Sequence, residues 1–233
     1  MPVHFVRELD TLKRKVLSLA SMVEENLQHA VHALEKGDAQ LARRLISSDI
    51  EIDHMEVEIE EECLKILALH QPVANDLRFI VAVIKINSDL ERIGDLAVNI
   101  AERAEYLADG RALSERFNFA TMAEAAQTML RQSLDSLVEL DAALARKVCA
   151  DDEKVDAFNR RIYEQVKEAM KENPEEVDTL THILAASRHI ERVGDHATNI
   201  AEDVIYMVEG RIARHRPENY RATNPASNGP CRE

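Results

Sequence analysis

Apolar residues recur every three or four positions along most of the 233-residue chain, with polar residues between them. This spacing places the apolar side chains on one face of an α-helix. No segment alternates apolar and polar residues in the way of a half-buried strand, so the pattern predicts an all-α protein. We predict helices over about residues 5–36, 39–69 and 73–109, followed by a second set of three.

Residues that favour helix ends stand between the predicted helices. Gly37 can adopt the left-handed conformation that often ends a helix, and Asp38 can cap the helix that follows. Asp141 predicts the same kind of start in the second half of the chain. The run Asn-Pro-Glu-Glu at 173–176 has the form of a capped helix start, and Gly210 is expected to end the last helix.

The two halves of the chain repeat each other. Residues 89–111 and 189–211 share 12 identities in 23 aligned positions, and residues 38–53 align in the same way with 141–156. Self-similarity of this kind indicates a tandem duplication. We therefore predict two three-helix bundles, with six long antiparallel helices in all. The predicted divisions are a first repeat at 1–112, a second repeat at 113–211, and a disordered polar tail at 212–233.

The phrase ERIGDLAVNIAE begins at Glu91 and returns as ERVGDHATNIAE at Glu191. Glu91 and Asp95 stand four residues apart, so they share one face of the predicted third helix, and Asn99 lies near that face. The second copy places the same residue types at Glu191, Asp195 and Asn199. The same faces are apolar before the acids, at Val73, Leu77, Ile80 and Ile84 in the first copy and at Val177, Leu180 and Leu184 in the second. A further apolar stripe on the opposite side comprises Ile86, Leu90, Ile93, Ala97, Ile100 and Ala104.

A second pair of acids lies on the preceding helix of each copy. Asp49 and Asp53 share one face of it, and Asp152 and Asp156 hold the aligned positions. Apolar residues bracket the first of these pairs, at Leu45, Ile46, Cys63, Leu64 and Leu67. Because a short turn joins the second and third helices, they must lie antiparallel, and the two pairs of acids are expected to meet at one level.

Four carboxylates brought together repel one another. The repulsion is about 4 kcal/mol per pair at ~4 Å and an effective dielectric constant of ~20, so either some of them take up protons or a cation lies among them. Oxygen ligands without Cys or His favour Mg, Mn, Ca or Fe over structural Zn. We predict divalent or trivalent metal ions, with Mg, Mn, Fe and Zn as the candidates. The predicted ligands are Asp49, Asp53, Glu91, Asp95 and Asn99 in the first repeat and Asp152, Asp156, Glu191, Asp195 and Asn199 in the second, the asparagines either as ligands or as groups that orient the carboxylates.

Other candidate motifs carry less weight. Glu51 and His54 have the Glu-x-x-His spacing of di-iron bundles, but they point away from the acidic face and the second copy lacks them. Gly94 and Gly194 are expected to permit close helix packing, while Arg92 is expected to pair with acids. No nucleophile stands with a base, and no glycine-rich phosphate loop is present. The sequence therefore predicts no catalytic or cofactor-binding residues and a protein that is not an enzyme.

Composition excludes several further classes. The net charge of −14 disfavours nucleic acid, whose phosphates require a basic surface. The three cysteines are far apart and form no CxxC pair, so we interpret Cys63 and Cys149 as small apolar residues in a reducing compartment. No apolar run reaches the ~18 residues of a membrane span, and the N-terminus has no signal-peptide pattern. We expect a cytoplasmic protein without membrane insertion.

The doubled phrase and the paired acids resemble those of the PhoU family, over residues 5–211. The resemblance implies an all-helical, two-bundle cytoplasmic protein, commonly a homodimer, with metal at the acidic clusters. It also implies a negative regulator of phosphate uptake and phosphate-starvation signalling. The partners would be the ATPase or permease of the phosphate ABC transporter and a phosphate-sensing histidine kinase, which could hold the protein at the inner face of the membrane. The polar tail departs from the family pattern.

Two alternatives to such a metal-binding adaptor remain open from the residues alone. The clusters could serve a carboxylate-ligated metalloenzyme, which would need an open coordination position and a substrate pocket. They could also be solvated acids on a purely structural helical scaffold, since acids four residues apart are common on exposed helix faces.

Overall fold

The computed structural model describes residues 3–47, 50–108, 117 and 119–211. Asp49, the predicted boundary between the repeats at 112 and the predicted tail at 212–233 lie outside these residues. The predicted end of the third helix, near residue 109, lies outside them as well.

Helices account for almost all of the described residues, and no strand occurs among them, which confirms the all-α prediction. The first repeat contains α1 (Val3–Lys36), α2 (Ala39–Ser47), α3 (Ile50–His70) and α4 (Ala74–Leu107). The second contains α5 (Phe119–Glu139), α6 (Ala142–Glu172) and α7 (Val177–Glu209). Together α2 and α3 cover the predicted second helix of the first repeat.

Most of the predicted helix ends are confirmed. Gly37 has a φ of 64° and Gly210 a φ of 70°, the left-handed conformation expected after a helix. One oxygen of Asp38 accepts hydrogen bonds from the backbone N–H groups of residues 40 and 41, at 3.1 and 2.9 Å. Asp141 caps α6 in the same way. The start predicted at 173–176 is confirmed in position, since a 3₁₀ turn begins at Pro174 after Asn173 and leads into α7, but the Asn173 side chain makes no capping hydrogen bond.

The third helices of the two repeats, α4 and α7, form the centre of the molecule. They pack against each other, while α4 also contacts α1, α2 and α3, and α7 contacts α5 and α6. The predicted stripe from Ile86 to Ala104 is buried along α4. Buried side chains of both repeats belong to one continuous hydrophobic cluster. The two bundles are therefore joined through a shared core.

Polar contacts reinforce this junction of the repeats. The Lys85 ammonium of α4 lies 3.1 Å from the Asp203 carboxylate of α7, whose side chain is only 2% exposed. The rings of Tyr106 and His182 stack at 3.6 Å, and Arg103 lies 3.3 Å from the same imidazole. Burial and the nearby guanidinium lower the pKa of His182, so the neutral ring is favoured there.

One part of the predicted apolar pattern does not pack into the core. Val73 and Leu77, which precede the acids of α4, are 74% and 40% exposed, and Leu64 on α3 is also exposed. Val177 is exposed at the start of α7, whereas Leu180 is buried. The expectation of an apolar line leading to the acids is thus correct only nearer the acids.

No helix in the described part of the chain is both long enough and apolar enough to cross a bilayer.

Two acidic clusters as the candidate functional site

Close packing of α3 against α4 brings the acids of the first repeat together. A Cβ added to Gly94 would lie 3.1 Å from Cδ1 of Ile52, which is tighter than ordinary contact. Glycine therefore lets the two helices approach closely here, because a larger residue would require Ile52 to shift. The approach places Asp53 and Glu56 of α3 near Glu91 of α4. The predicted role of Gly94 in helix packing is confirmed.

The first cluster is a group of acids partly neutralised by one arginine. Burial raises the pKa of Glu91, and repulsion from Asp95, Asp53 and Glu56 adds to the rise. Arg92 opposes it, with Nε 3.4 Å from a Glu91 oxygen and a terminal nitrogen 3.0 Å from Asp95. The prediction that Arg92 pairs with acids is confirmed. The repulsion among these acids was expected to be relieved by protonation or by a bound cation. The Arg92 guanidinium supplies part of the positive charge.

The second cluster is buried more deeply. Burial raises the pKa of Asp152 to about 6, and repulsion from Asp195, Asp156 and Glu191 contributes to the shift. The pKa values of Glu191 and Asp195 are raised as well, chiefly because neighbouring atoms displace water. The four predicted acids of this repeat thus lie close enough to repel one another, as the antiparallel arrangement of α6 and α7 requires.

Arginines are also the positive partners in the second repeat. Arg188 donates to Glu191 at 2.8 Å, and Arg160 lies 3.7 Å from Asp156. The second oxygen of Glu191 is buried and has no hydrogen-bond partner, although a buried charged oxygen normally has one. Negative charge in this cluster is therefore incompletely compensated.

The two predicted asparagines bond away from the carboxylates of their own clusters. The Asn99 amide donates to the backbone oxygen of Asp95 at 2.8 Å, within α4. The Asn199 amide donates instead to Asp89 across the repeat junction, at 3.2 Å, and His196 bonds the same oxygen at 2.8 Å. Sequence reasoning missed this contact between α4 and α7. The sequence signalled it only by an acid, Asp89, two residues before the repeated phrase.

The carboxylates of both clusters belong to a donor set that suits a hard cation. In the described part of the chain, however, no three His, Cys, Asp or Glu groups are placed so that they could hold a metal ion, and Asp49 lies outside that part. Glu51 and His54, set aside above, are both exposed. The arrangement seen is one of neighbouring carboxylates that form ion pairs with arginines.

An apolar groove of about 510 Å³ lies apart from both clusters. It is formed where α1, the start of α4 and the ends of α5 and α7 meet, with Leu9, Phe79, Leu137 and Val208 among its lining residues. Among the described residues that line it, the one acid, Asp76, belongs to neither cluster. The groove thus does not provide the clusters with a substrate pocket.

Fold and site together define an all-α tandem-repeat protein with one acidic cluster in each repeat. A model of the PhoU domain matches the chain twice, at residues 16–104 and 119–204. The chain belongs to the PhoU family. The resemblance drawn from the doubled phrase is confirmed.

Two relatives show how far the similarity extends. A phosphate-specific transport system accessory protein PhoU homolog of Aquifex aeolicus is 40% identical over 210 residues, covering 90% of this chain and 95% of its own. A homolog of the same name from Pseudomonas aeruginosa is 38% identical over 212 residues, covering 91% of this chain and 88% of its own. These names are those of accessory proteins, which confirms the prediction that the chain is not an enzyme.

Solved structures agree with the fold. The crystal structure of PhoU from Pseudomonas aeruginosa has a TM-score of 0.83 at 37% identity, covering 89% of this chain and all of that one. The crystal structure of the phosphate transport system regulatory protein PhoU from Streptococcus pneumoniae also has a TM-score of 0.83, at 29% identity. The match covers 89% of this chain and 98% of that one. The predicted tandem arrangement of helices is confirmed.

Proposed function

We propose that this protein is a cytoplasmic regulator of phosphate transport. The carrying observation is the match over about nine-tenths of both chains to relatives named phosphate-specific transport system accessory proteins. A match across both repeats includes the central α4–α7 pair and both clusters, so the similarity covers the whole architecture rather than one segment.

The regulator acts by contact and not by chemistry. It restrains phosphate uptake and phosphate-starvation signalling as an adaptor between the phosphate ABC transporter, through its ATPase or permease, and a phosphate-sensing histidine kinase. The helical surface, with acids and exposed aliphatic side chains, supports a role in protein contacts. A homodimer is part of this proposal, and light scattering of the purified protein measures it directly.

Deletion of the gene tests the regulatory role. In phosphate-rich medium we expect higher phosphate uptake and an activated phosphate-starvation reporter in the deletion strain. Wild-type protein supplied from a plasmid should restore both. If uptake and reporter stay at wild-type levels without the gene, the proposal is wrong.

We further propose that the clusters bind divalent or trivalent metal ions, with Mg, Mn, Fe or Zn as the candidates. The support is chemical: the raised pKa values of Glu91, Asp152 and Glu191, and the Glu191 oxygen without a partner, indicate carboxylates short of positive charge. A bound ion would supply that charge and take the place of the arginines. The proposed carboxylate ligands are Asp49, Asp53, Glu91 and Asp95, and Asp152, Asp156, Glu191 and Asp195.

Metal analysis of the purified protein tests this second proposal. Asp49→Ala/Glu91→Ala and Asp152→Ala/Glu191→Ala should each remove the metal of one cluster and leave the other cluster filled. Glu51→Ala/His54→Ala, on α3 but away from the cluster, is the matched control and should keep the metal content of the wild type. Unchanged metal in both cluster variants would contradict the proposal and leave the structural-scaffold alternative for these acids.

A further inference from the structure

One exposed row of aliphatic side chains on α3 has no use in the fold. Ile50, Val57 and Leu64 are 63%, 50% and 54% exposed. They stand seven residues apart, so they form a line along the helix that is about 21 Å long. The core-facing side of the same helix is already filled by Ile52, Ile59, Cys63 and Ile66. We call Ile50, Val57 and Leu64 the α3 row.

The second repeat provides an internal comparison for the α3 row. The alignment of 38–53 with 141–156, continued along the helix, places Glu153, Arg160 and Lys167 at the three positions. These side chains are also exposed, and Arg160 donates a hydrogen bond to Glu153. The same scaffold thus holds charged residues at this row in one repeat and aliphatic residues in the other. Folding does not require the aliphatic residues.

Acidic side chains border the α3 row on both sides. Helix geometry places Asp53 and Glu60 beside it on the side toward α4, and Glu61 on the other side. All three are exposed. The row is therefore an apolar strip between two negative margins, on a protein whose net charge is −14.

These charges decide among the possible occupants. A second copy of this chain packed row against row would bring carboxylates against carboxylates, which is unfavourable. An anionic lipid surface would be repelled for the same reason. A helix with aliphatic residues at seven-residue spacing and lysines or arginines beside them would satisfy both the apolar strip and its margins.

We propose that the α3 row docks a basic amphipathic helix of a partner protein. This inference names a contact for the adaptor role proposed above and rests on it. The partner helix packs along α3 as in a two-stranded coiled coil, and it needs at least about 15 residues to cover the row.

Fluorescence anisotropy with synthetic peptides and the full chain tests the proposal. The probe is a labelled helix of about 20 residues with leucines on one face and lysines and arginines beside them. The comparison peptide has glutamates in place of the basic residues. The protein variants are Ile50→Gln/Val57→Gln/Leu64→Gln, which leaves the charge unchanged, and Ile50→Glu/Val57→Arg/Leu64→Lys, which introduces the residues of the second repeat. Leu69→Gln, on the same helix and 65% exposed but outside the row, is the matched control.

We expect the basic peptide to bind the wild type and Leu69→Gln equally, and to bind both triple variants at least about tenfold more weakly, because each aliphatic contact is lost. The acidic peptide should not bind. Circular dichroism should show wild-type helix content in the variants. If the glutamine variant fails to fold, binding is compared between the wild type and the variant with second-repeat residues.

Four results would overturn the proposal. The first is that the basic peptide binds the triple variants as tightly as it binds the wild type. The second and third are that the wild type binds both peptides equally, or does not bind the basic peptide at all. The fourth is that the triple variants lose a dimer that the wild type forms, which would assign the row to a second copy. Peptide binding that depends on the row, together with unaltered phosphate reporters in the deletion strain, would instead contradict the regulatory function and leave the docking surface in place.

Discussion

Asp152 is the residue at which burial and charge conflict most clearly. Its pKa of about 6 lies above the ordinary value of 3.8, because the carboxylate loses water and faces three other acids. The folded protein therefore binds this proton more tightly than the unfolded chain does. Stability from the protonated group is present at low pH and is lost as the pH rises through about 6.

Substitution of Asp152 by Asn should stabilise the metal-free protein at neutral pH. In EDTA at pH 7.5 we expect Asp152→Asn to raise the free energy of unfolding by on the order of 2 kcal/mol, from a shift of about two pKa units reduced for screening. At pH 4.5 the gain should fall below about 1 kcal/mol, since the folded wild type is then protonated. Urea unfolding followed by circular dichroism at the two pH values measures both.

The control for this prediction lies on the same helix. Glu153→Gln changes an exposed acid and should shift the free energy of unfolding by less than about 0.5 kcal/mol at either pH. A gain from Asp152→Asn that does not depend on pH would show that packing, and not charge, limits stability at this position.

The equivalent helix pairs of the two repeats, α3–α4 and α6–α7, differ in how closely they pack at the shared glycine. Gly94 faces Ile52 of α3, whereas a Cβ at Gly194 would meet Asp152 and Val155 of α6 at 3.5 Å, an ordinary contact. Val155 aligns with Ile52, whose Cδ1 and Cγ2 would lie 3.1 and 3.2 Å from a Cβ at Gly94. The glycine that both copies share is thus in tight contact with the facing helix in only one of them.

Alanine substitutions should separate the two glycines. Gly194→Ala is expected to raise the free energy of unfolding by about 0.5–1 kcal/mol, because alanine favours the helix over glycine. Gly94→Ala should lower it by roughly 1 kcal/mol, because the strain of overpacking against buried Ile52 exceeds that gain. Urea unfolding of each variant beside the wild type gives both values. If both variants raise the free energy of unfolding by the same amount, α3 and α4 can move apart at Gly94 without cost.

At the scale of the whole molecule, the α4–α7 pair makes one cooperative unit from two copies. The shared core, the Lys85–Asp203 ion pair and the bonds from His196 and Asn199 to Asp89 all cross the junction. Asp203 is nearly fully buried, so its ion pair differs from the exposed pairs elsewhere on the surface.

Removal of one partner of this ion pair should test the junction. Lys85→Met is expected to lower the free energy of unfolding by about 2 kcal/mol, because it leaves the buried Asp203 carboxylate without this ammonium. Lys15→Met, which breaks an exposed pair with Glu58, should cost less than about 1 kcal/mol. Unfolding should remain a single transition in all three proteins, and two separate transitions in the wild type would contradict the shared core.

The amino-acid sequence by itself determined the helices, the duplication and the acids that share each helix face. Helix periodicity and end signals depend on residues three or four positions apart, so they can be read without knowledge of the fold. For the same reason Glu91 and Asp95, or Asp152 and Asp156, could be paired in advance. The capping role of Asp38 and Asp141 was equally local, whereas the Asn173 side chain makes no capping bond although the helical turn begins directly after it.

The tertiary structure alone decided what each helix face meets. A stripe such as Ile86 to Ala104 fits any apolar neighbour, and only the packing of distant segments assigns it to the α4–α7 centre. In the same way the packing leaves Val73 and Leu64 exposed and brings Asp89 to His196. These contacts join residues far apart in the chain, and their energies depend on burial, which no local pattern specifies.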